Sequence, residues 1–481
     1  MASRTAGTRA IPERRILVGA EWLETGDWIE VRSPYSDRLI ARVAAGGAEE
    51  ARQAIEAASE AMEDPLPAYE RAAILDRAAA ALRERHEEAA LLISDEAGKP
   101  IKAARVEAAR AASTYELSAA EARKLAGSVI PMSGSQSGHG KLGFTVRRPV
   151  GVVGAITPFN FPLNLVAHKI APALAAGCAV VLKPASSTPL SALLLAGLEQ
   201  DAGLPPGWLN VVIGESSAIG DALISDPRVA AISFTGSSAV GWGLKQRAPR
   251  KRVALELGNA TPVIVEADAD LGLAATKIAQ NAFSYAGQSC ISIQRVYVAR
   301  DVYDRFLEEL LPRVESLKVG DPAAEDTDVG PVINIQARDR IIDWIEEARA
   351  AGAEVVAGGT AEAGIIRPTV IARASATVRV SCEEVFGPVC TVVPYESLAD
   401  AFALANGTRY GLQAGIFTRN LENAFRAIEE LDFGGVVINE APTFRADQVP
   451  YGGVKDSGNT KEGPAYVVEE LTEERLVVIQ L

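Results

Sequence analysis

A chain of 481 residues is too long for one simple core, so two or three domains are expected. With 48% hydrophobic and 23% charged residues it has the composition of a folded protein, which excludes a mainly disordered one. A net charge of -14 excludes nucleic acid as the main partner and argues against an anionic membrane surface, since both require a surplus of Lys and Arg.

In chain order, segment 1–15 carries Arg4, Arg9, Arg14 and Arg15 against Glu13 alone and reads as a frayed tail rather than a transit peptide. Segments 16–31 and 39–43 read as short strands around the turn Ser33-Pro34-Tyr35-Ser36. From 69 to about 97 apolar residues recur at helical spacing (Leu75, Ala78, Ala79, Leu82), and Gly98-Lys99-Pro100 stops the helix. A second helix is expected over 106–126, then a Gly- and Ser-rich loop over 133–140. From 150 strands and helices alternate: strand 150–156, helix 163–176, strand 179–182, helix 190–202, then 209–213, 217–225 and 230–234. Strands joined by crossover helices imply a parallel, doubly wound sheet. A second alternating series runs from about 263 to 439, with a helix at 271–285, a strand at 295–298 and a helix at 302–314. Segment 472–479 is β-prone with no partner of its own in view, and is expected to pair with another subunit's sheet edge. No run of 18 apolar residues and no signal-peptide core is present.

The chemistry-bearing residues come next. Cys178, Cys290, Cys382 and Cys390 have neither zinc-site nor disulfide spacing, the pattern of a reducing compartment. His86, His139 and His168 are scattered singly, so no metal site is expected. Three of the cysteines sit beside apolar residues and read as small buried hydrophobes. Cys290 instead follows the polar turn Ala286-Gly287-Gln288-Ser289, where a side chain can face a cleft. Glu256 closes the apolar run 253–255, which implies partial burial and a raised pKa. A thiol supplies a nucleophile for a carbonyl carbon and a separate carboxylate a base for water, the two halves of making and hydrolysing a thioester. Lys183-Pro184 directly follows an apolar strand, which places a lysine where parallel sheets bind ligands. No G-x-G-x-x-G follows a strand, so the ordinary dinucleotide fingerprint is absent.

Six motifs then stand in order: ITPFNFPLN at 156–164, VVLKPA at 180–185, FTGSSAVG at 234–241, LELG at 255–258, AGQSC at 286–290 and EEVFGPV at 383–389. Together they resemble the aldehyde dehydrogenase superfamily over essentially the whole chain. FNFPLNLVAHK and FRADQVPYGGVKDSG are similar to its branch of lactaldehyde, phosphonoacetaldehyde and succinate-semialdehyde enzymes. The resemblance implies an α/β fold of two doubly wound domains plus a small β bridging element. On that pattern 15–123 with 148–257 would bind the dinucleotide, 258–458 would be catalytic, and 124–147 with 459–481 would bridge subunits of a homodimer or homotetramer.

The resemblance also implies roles. Cys290 would attack the aldehyde, and Asn160 with the Cys290 N–H would hold the oxyanion; read alone, Asn160 also suits a cap on the helix after Pro162. Glu256 would activate the hydrolytic water. NAD or NADP would bind through Lys183 and Ser186 at the adenosine ribose, and through Gly236 and Ser237 at a helix N-terminus facing the pyrophosphate. Gly214 and Gly241 would allow close backbone approach, Thr157 and Phe159 would line the nicotinamide half, Glu384 would hold its ribose, and Phe386 would pack nearby. Ser186 stands where strict NAD users often carry Glu, so NADP is expected to be accepted. Asn259 replaces a second Gly after LELG, and Asn tolerates left-handed backbone.

For the substrate, Arg445 suits either a clasp on an anionic tail or a salt bridge with Asp447 or another acid. His168 suits either the tunnel or a satisfied core. Ser289 and Glu116 stand where phosphate- or anion-handling relatives carry Arg. The expectation is a small polar aldehyde, hydroxylated or singly anionic. Succinate-semialdehyde, sulfolactaldehyde and non-phosphorylating glyceraldehyde-3-phosphate oxidation are the alternatives. Glu256 speaks against a coenzyme A-acylating enzyme, and the set Asn160, Glu256 and Cys290 against a non-enzymatic protein of the same fold. A cytoplasmic location is expected.

Overall fold

The structure, a computed structural model, describes residues 11–362 and 364–481. Residues 1–10 of the expected frayed tail lie outside the described ones, and Glu13–Arg14 already forms a short strand beside Leu39–Ala44. Helix α1, Ala48–Ala61, was not anticipated; it buries Ala51, Ala54, Ile55 and Ala58 on one face, and the Glu50 carboxylate accepts from the Gly47 N–H ahead of its first turn. The stretch read as one helix from 69 is two, α2 Ala68–Glu84 and α3 His86–Ala97, broken where Arg85 leaves helical geometry at φ -98°, ψ 22°. Helix α4, Ile101–Lys124, begins directly after Pro100, whose fixed φ suits a helix entrance, and so starts earlier than expected. Helix α5, Asn164–Ala176, is buried on every face, and α6 spans Leu190–Asp201.

The first seven-stranded sheet runs in the order Arg252–Glu256, Val229–Thr235, Val152–Ile156, Val180–Lys183, Leu209–Val211, Ile16–Val18, Glu21–Leu23. Its first five strands are parallel, and the last two joints are antiparallel. Chain order reverses between Val152–Ile156 and Val229–Thr235, which opens a crevice at their carboxyl ends. The strands are near-continuous apolar runs (Val153, Val180, Val181 and Leu182 are wholly buried), as a sheet covered on both faces requires. Each such side chain contributes about 1.5–3 kcal/mol of transfer free energy.

The second seven-stranded sheet orders Glu354–Ala357, Thr369–Ala372, Val389–Tyr395, Ile293–Ala299, Thr261–Val265, Gln413–Phe417, Gly435–Ile438, all parallel except the first. It reverses between Thr261–Val265 and Gln413–Phe417, and Gly435–Ile438 is its half-buried outer strand.

The segment expected to lack a partner within its own chain has one. Thr472–Gln480 pairs antiparallel with Lys141–Pro149 over nine residues, and Val129–Ile130 completes a three-stranded sheet. Leu142, Leu476, Val478 and Ile479 of this sheet remain exposed, as does Leu481 just beyond it, at 81%. Among the described residues no helix is long and apolar enough to cross a membrane.

Candidate active site

A cavity of about 360 Å³ opens where the first sheet's crevice meets loops of the second half of the chain. Into it come Phe159 and Asn160 from the loop after Val152–Ile156, Gly236 and Ser237 after Val229–Thr235, and Glu256 ending Arg252–Glu256. Ser289, Cys290, Glu384, Phe386 and Arg445 enter from the other side. The sequence motifs that carry these residues therefore fall in turns at strand ends, where side chains escape the ladder and converge.

The turn before Cys290 is set by unusual backbone. Tyr285, Ala286 and Gly287 have φ of 50°, 52° and 68°, three left-handed residues in succession. For Tyr and Ala that costs roughly 1–2 kcal/mol each. A Cβ on Gly287 would meet the Gly387 carbonyl at 2.0 Å, so the close approach needs glycine. Tyr285 Oη donates to the Ala97 carbonyl at 2.9 Å, and Gln288 Oε1 accepts from the Ile333 N–H at 2.8 Å; both brace the turn. Cys290 Sγ then lies 2.9 Å from Tyr451 Oη. Burial pushes the thiol up to about 12, opposed by the Tyr451 hydrogen bond and the Arg445 charge.

Asn160 Nδ2 donates to the Gln288 carbonyl at 3.0 Å. It does not cap α5, because Glu107 Oε1 already accepts from the N–H groups of Leu163 and Asn164 at 3.0 and 3.1 Å. The buried Glu256 carboxyl has no hydrogen-bond partner on either oxygen. Burial, then the nearby charge of Glu462, raises its pKa well above the ordinary carboxylate value. Asn259 is not left-handed, so its tolerance of that conformation is not used. Its side chain is buried instead, donating to Thr261 Oγ1 at 2.8 Å and the Gln413 carbonyl at 3.2 Å, while its N–H donates to Glu384 Oε1 at 3.0 Å. Burial pushes Glu384 up to about 7. Phe386, itself at φ 49°, meets Phe159 edge-on at 5.8 Å.

Arg445 lines the cavity and is also ion-paired, to Glu462 at 2.7 Å rather than to Asp447. Its guanidinium lies 3.9 Å from the Tyr451 ring centroid, and its Nε is buried with no hydrogen-bond partner. Burial pushes Glu462 up, but Arg445 and Lys169 outweigh it and hold the carboxyl at about 2. Asp447 pairs instead with Arg110, which also lines the cavity, at 2.7 Å. His168, expected in one reading at the tunnel, does not reach the cavity. It is buried on α5 with Nε2 3.0 Å from Asp447 Oδ1, and burial followed by the Arg445 charge lowers its pKa. Glu116 is exposed and pairs with Arg83 at 2.7 Å, so it says nothing about the substrate. On α4 the cavity faces Arg110.

Thr157, Lys183, Ser186, Gly214 and Gly241 lie outside the cavity lining. Lys183 ends the strand Val180–Lys183 and Ser186 lies just beyond it, its Oγ donating to the Gly214 carbonyl at 3.0 Å. A dinucleotide fits the residues present. Buried Lys183 donates only to the Pro184 carbonyl, at 3.1 Å, and desolvation lowers it to about 8, a cationic donor with an acceptor still to find. Thr157 Oγ1 is buried without a partner. Gly236 and Ser237 lead into the helix Ser238–Arg247, which has no side-chain cap on its first turn and carries Gly241. A Cβ on Gly214 would strike the Gly46 carbonyl at 1.7 Å, so only glycine lets the chain pass there.

Tyr451, Arg110, Glu462 and Lys169 were not singled out from sequence. Tyr451 stands within the VPYGG segment already noted for its resemblance, which was a usable signal. Arg110 and Asp447 are 337 positions apart, and only folding joins them. Among the described residues no cluster of three or more His, Cys, Asp or Glu could hold a metal ion.

The model of the Aldehyde dehydrogenase family matches residues 22–477. The chain is 42% identical over 466 residues to the 3-sulfolactaldehyde dehydrogenase of Priestia aryabhattai, covering 97% of this chain and 98% of that one. It is similar to aldehyde dehydrogenase 21 of Physcomitrella patens, solved with the reaction product succinate (TM-score 0.94, 38% identity, 98% and 99% covered). It is also similar to the NADP-dependent glyceraldehyde-3-phosphate dehydrogenase of Bacillus halodurans, solved with NADP (TM-score 0.95, 37% identity, 98% and 99% covered).

Proposed function

The chain belongs to the aldehyde dehydrogenase family, nicotinamide-dependent oxidoreductases acting on aldehydes, and from that premise we propose which of its residues act and which aldehyde they select. Cys290 Sγ gives its proton to solvent water in the open cavity and attacks the aldehyde carbon as the thiolate. Asn160 Nδ2, oriented by its bond to Gln288, gives its second hydrogen to the oxyanion, together with the Cys290 N–H. Lys183 and Ser186 would hold the adenosine ribose, and Glu384 the nicotinamide ribose, of a dinucleotide that would pack against Phe386 and supply the hydride acceptor. Glu256, once ionised, takes a proton from the water that hydrolyses the Cys290 thioester. The observation that carries this reading is the convergence of Cys290, Asn160 and Glu256 on one cavity. A hydrolytic carboxyl facing the sulfur favours a free acid over a coenzyme A ester.

The substrate is a small aldehyde with a polar or singly anionic tail. In support, two guanidiniums, Arg445 and Arg110, line the cavity, and Arg445 keeps a buried Nε unused. Each is partly neutralised by an acid, Glu462 or Asp447, which suits one negative charge better than two. Sulfolactaldehyde and succinate semialdehyde are the leading candidates. Ser186, with no carboxylate to repel a 2′-phosphate, supports acceptance of NADP. The apolar, exposed face of Thr472–Gln480 and the outer strand Gly435–Ile438 support a homodimer or homotetramer in which one copy's strand extends the other's sheet. Four free thiols support a cytoplasmic location.

The test is reduction of NAD and of NADP with sulfolactaldehyde, succinate semialdehyde, lactaldehyde, glycolaldehyde, phosphonoacetaldehyde and glyceraldehyde-3-phosphate. A singly anionic aldehyde should exceed the neutral ones by about tenfold or more in kcat/KM. A flat panel would discard the anion argument. An NADP efficiency below about a hundredth of that with NAD, ~2.7 kcal/mol, would discard the reading of Ser186.

A further inference from the structure

Behind the cavity, at the turn between α3 and α4, lies a buried ion pair that the reaction as described does not use. Lys99 is 1% exposed and its Nζ contacts Glu107 Oε2. The other oxygen of Glu107 accepts the Leu163 and Asn164 N–H groups, fixing the loop that carries Asn160. The Lys99 ammonium also lies 3.7 Å from the Phe161 ring centroid and 4.5 Å from that of Tyr285. Phe161 directly follows Asn160; Tyr285 opens the left-handed turn before Cys290. One cation thus touches both loops, and the two rings pack edge-on at 6.5 Å.

We propose that the Lys99–Glu107 pair is a positioning element that holds the Asn160 loop and the Cys290 turn in one fixed relation, so that amide and sulfur address the same carbonyl. Burying a charged pair is seldom justified by stability, because apolar side chains of similar volume usually do as well. The geometry here supplies another reason. An apolar side chain at 99 would fill the space, yet it would neither hold the Glu107 carboxylate beneath the first turn of α5 nor attract two ring faces at once. Misplacing a reacting group by about 1 Å costs on the order of a hundredfold in rate.

The proposal rests on Asn160 being the oxyanion donor, and a double-mutant cycle separates the two claims. Lys99→Met, Asn160→Ala and their combination are compared for kcat, KM and thermal midpoint. Lys99→Met/Glu107→Gln, which removes both charges together, is carried in parallel and read instead if the single variant fails to fold. Lys99→Met should lower kcat about tenfold or more with KM changed less than about threefold, and should cost less than about threefold once Asn160 is Ala. Losses that multiply in the combined variant, or a kcat within about threefold of the parent, would overturn the positioning role. An Asn160→Ala enzyme of full rate would instead remove the oxyanion assignment, and the proposal with it.

Discussion

Two regions of this protein each bury a glutamate with neither carboxyl oxygen hydrogen-bonded: Glu256 at the cavity and Glu199 on α6, where it faces the Tyr115 hydroxyl of α4. Burial raises both, Glu199 to about 7. Two cysteines form a parallel pair, since burial pushes Cys290 and Cys390 alike up to about 12. A displaced pKa therefore does not distinguish the proposed reacting groups from the packed ones. What does is setting. Glu256 faces a cavity shared with a thiol and lies within the fields of Arg445, Lys169 and Lys461, which can stabilise its ionised form. Glu199 sits in a helical layer with α2 and α4, and Cys390 in a strand of the second core.

The contrast is broken most directly at the thiols. Cys290→Ala should abolish aldehyde oxidation, a loss on the order of 10⁴-fold or more, while Cys390→Ala should stay within about twofold in steady-state kinetics. The glutamates come next. Glu256→Gln should cost on the order of 10²–10⁴ in kcat, with an acyl-enzyme detectable by intact-protein mass, whereas Glu199→Gln should leave kcat within about twofold. The smallest effect concerns pH and sharpens the difference. As the proposed base Glu256 works only when ionised, so with its pKa raised by burial hydrolysis should speed up with pH over a range above that of an ordinary carboxylate. For Glu199 the folded pKa of about 7 lies above the unfolded value near 4.5, so its contribution to stability is full below 4.5 and is lost as pH rises through 7. That gap of about 2.5 units corresponds to roughly 3 kcal/mol, so denaturant unfolding of Glu199→Gln should gain up to about that much on the parent between pH 4.5 and pH 8. A gain that is flat with pH would mean that Glu199 stays ionised in the fold.

Most of the strand–helix alternation was legible because parallel strands covered on both faces are written as short apolar runs. Helix α1 was missed because alanines supply most of its buried face, a weak periodic signal. The break at Arg85 was missed because no Gly or Pro marks it. The strand Lys141–Pro149 escaped because its basic residues, Arg147 and Arg148, mask the alternation. In the cavity, residues within tight motifs were legible: Asn160, Cys290 and Glu384 sit in loops and Glu256 ends a strand, each with constrained neighbours. Residues that act through distant contacts were not. Glu462 matters because it meets Arg445 and Lys169, Arg110 because it meets Asp447, and nothing local records either meeting. His168 shows the converse. Of its two readings, tunnel or satisfied core, the second holds: Asp447 and Thr114 keep its ring in the interior.

The left-handed run at Tyr285, Ala286 and Gly287 divides the loop around the sulfur into two parts with different tolerances for change. Its first half is specified by backbone shape, so a library randomised there would return mostly collapsed catalysts whatever side chains it sampled. Ser289, by contrast, lines the cavity through its side chain and makes only a long 3.5 Å contact to the Ile291 N–H. A breeder of new specificities would therefore diversify 289, with 110 and 445, and leave 285–287 untouched. The loop separates the evolvable part of substrate choice from the frozen part of the chemistry within five consecutive residues.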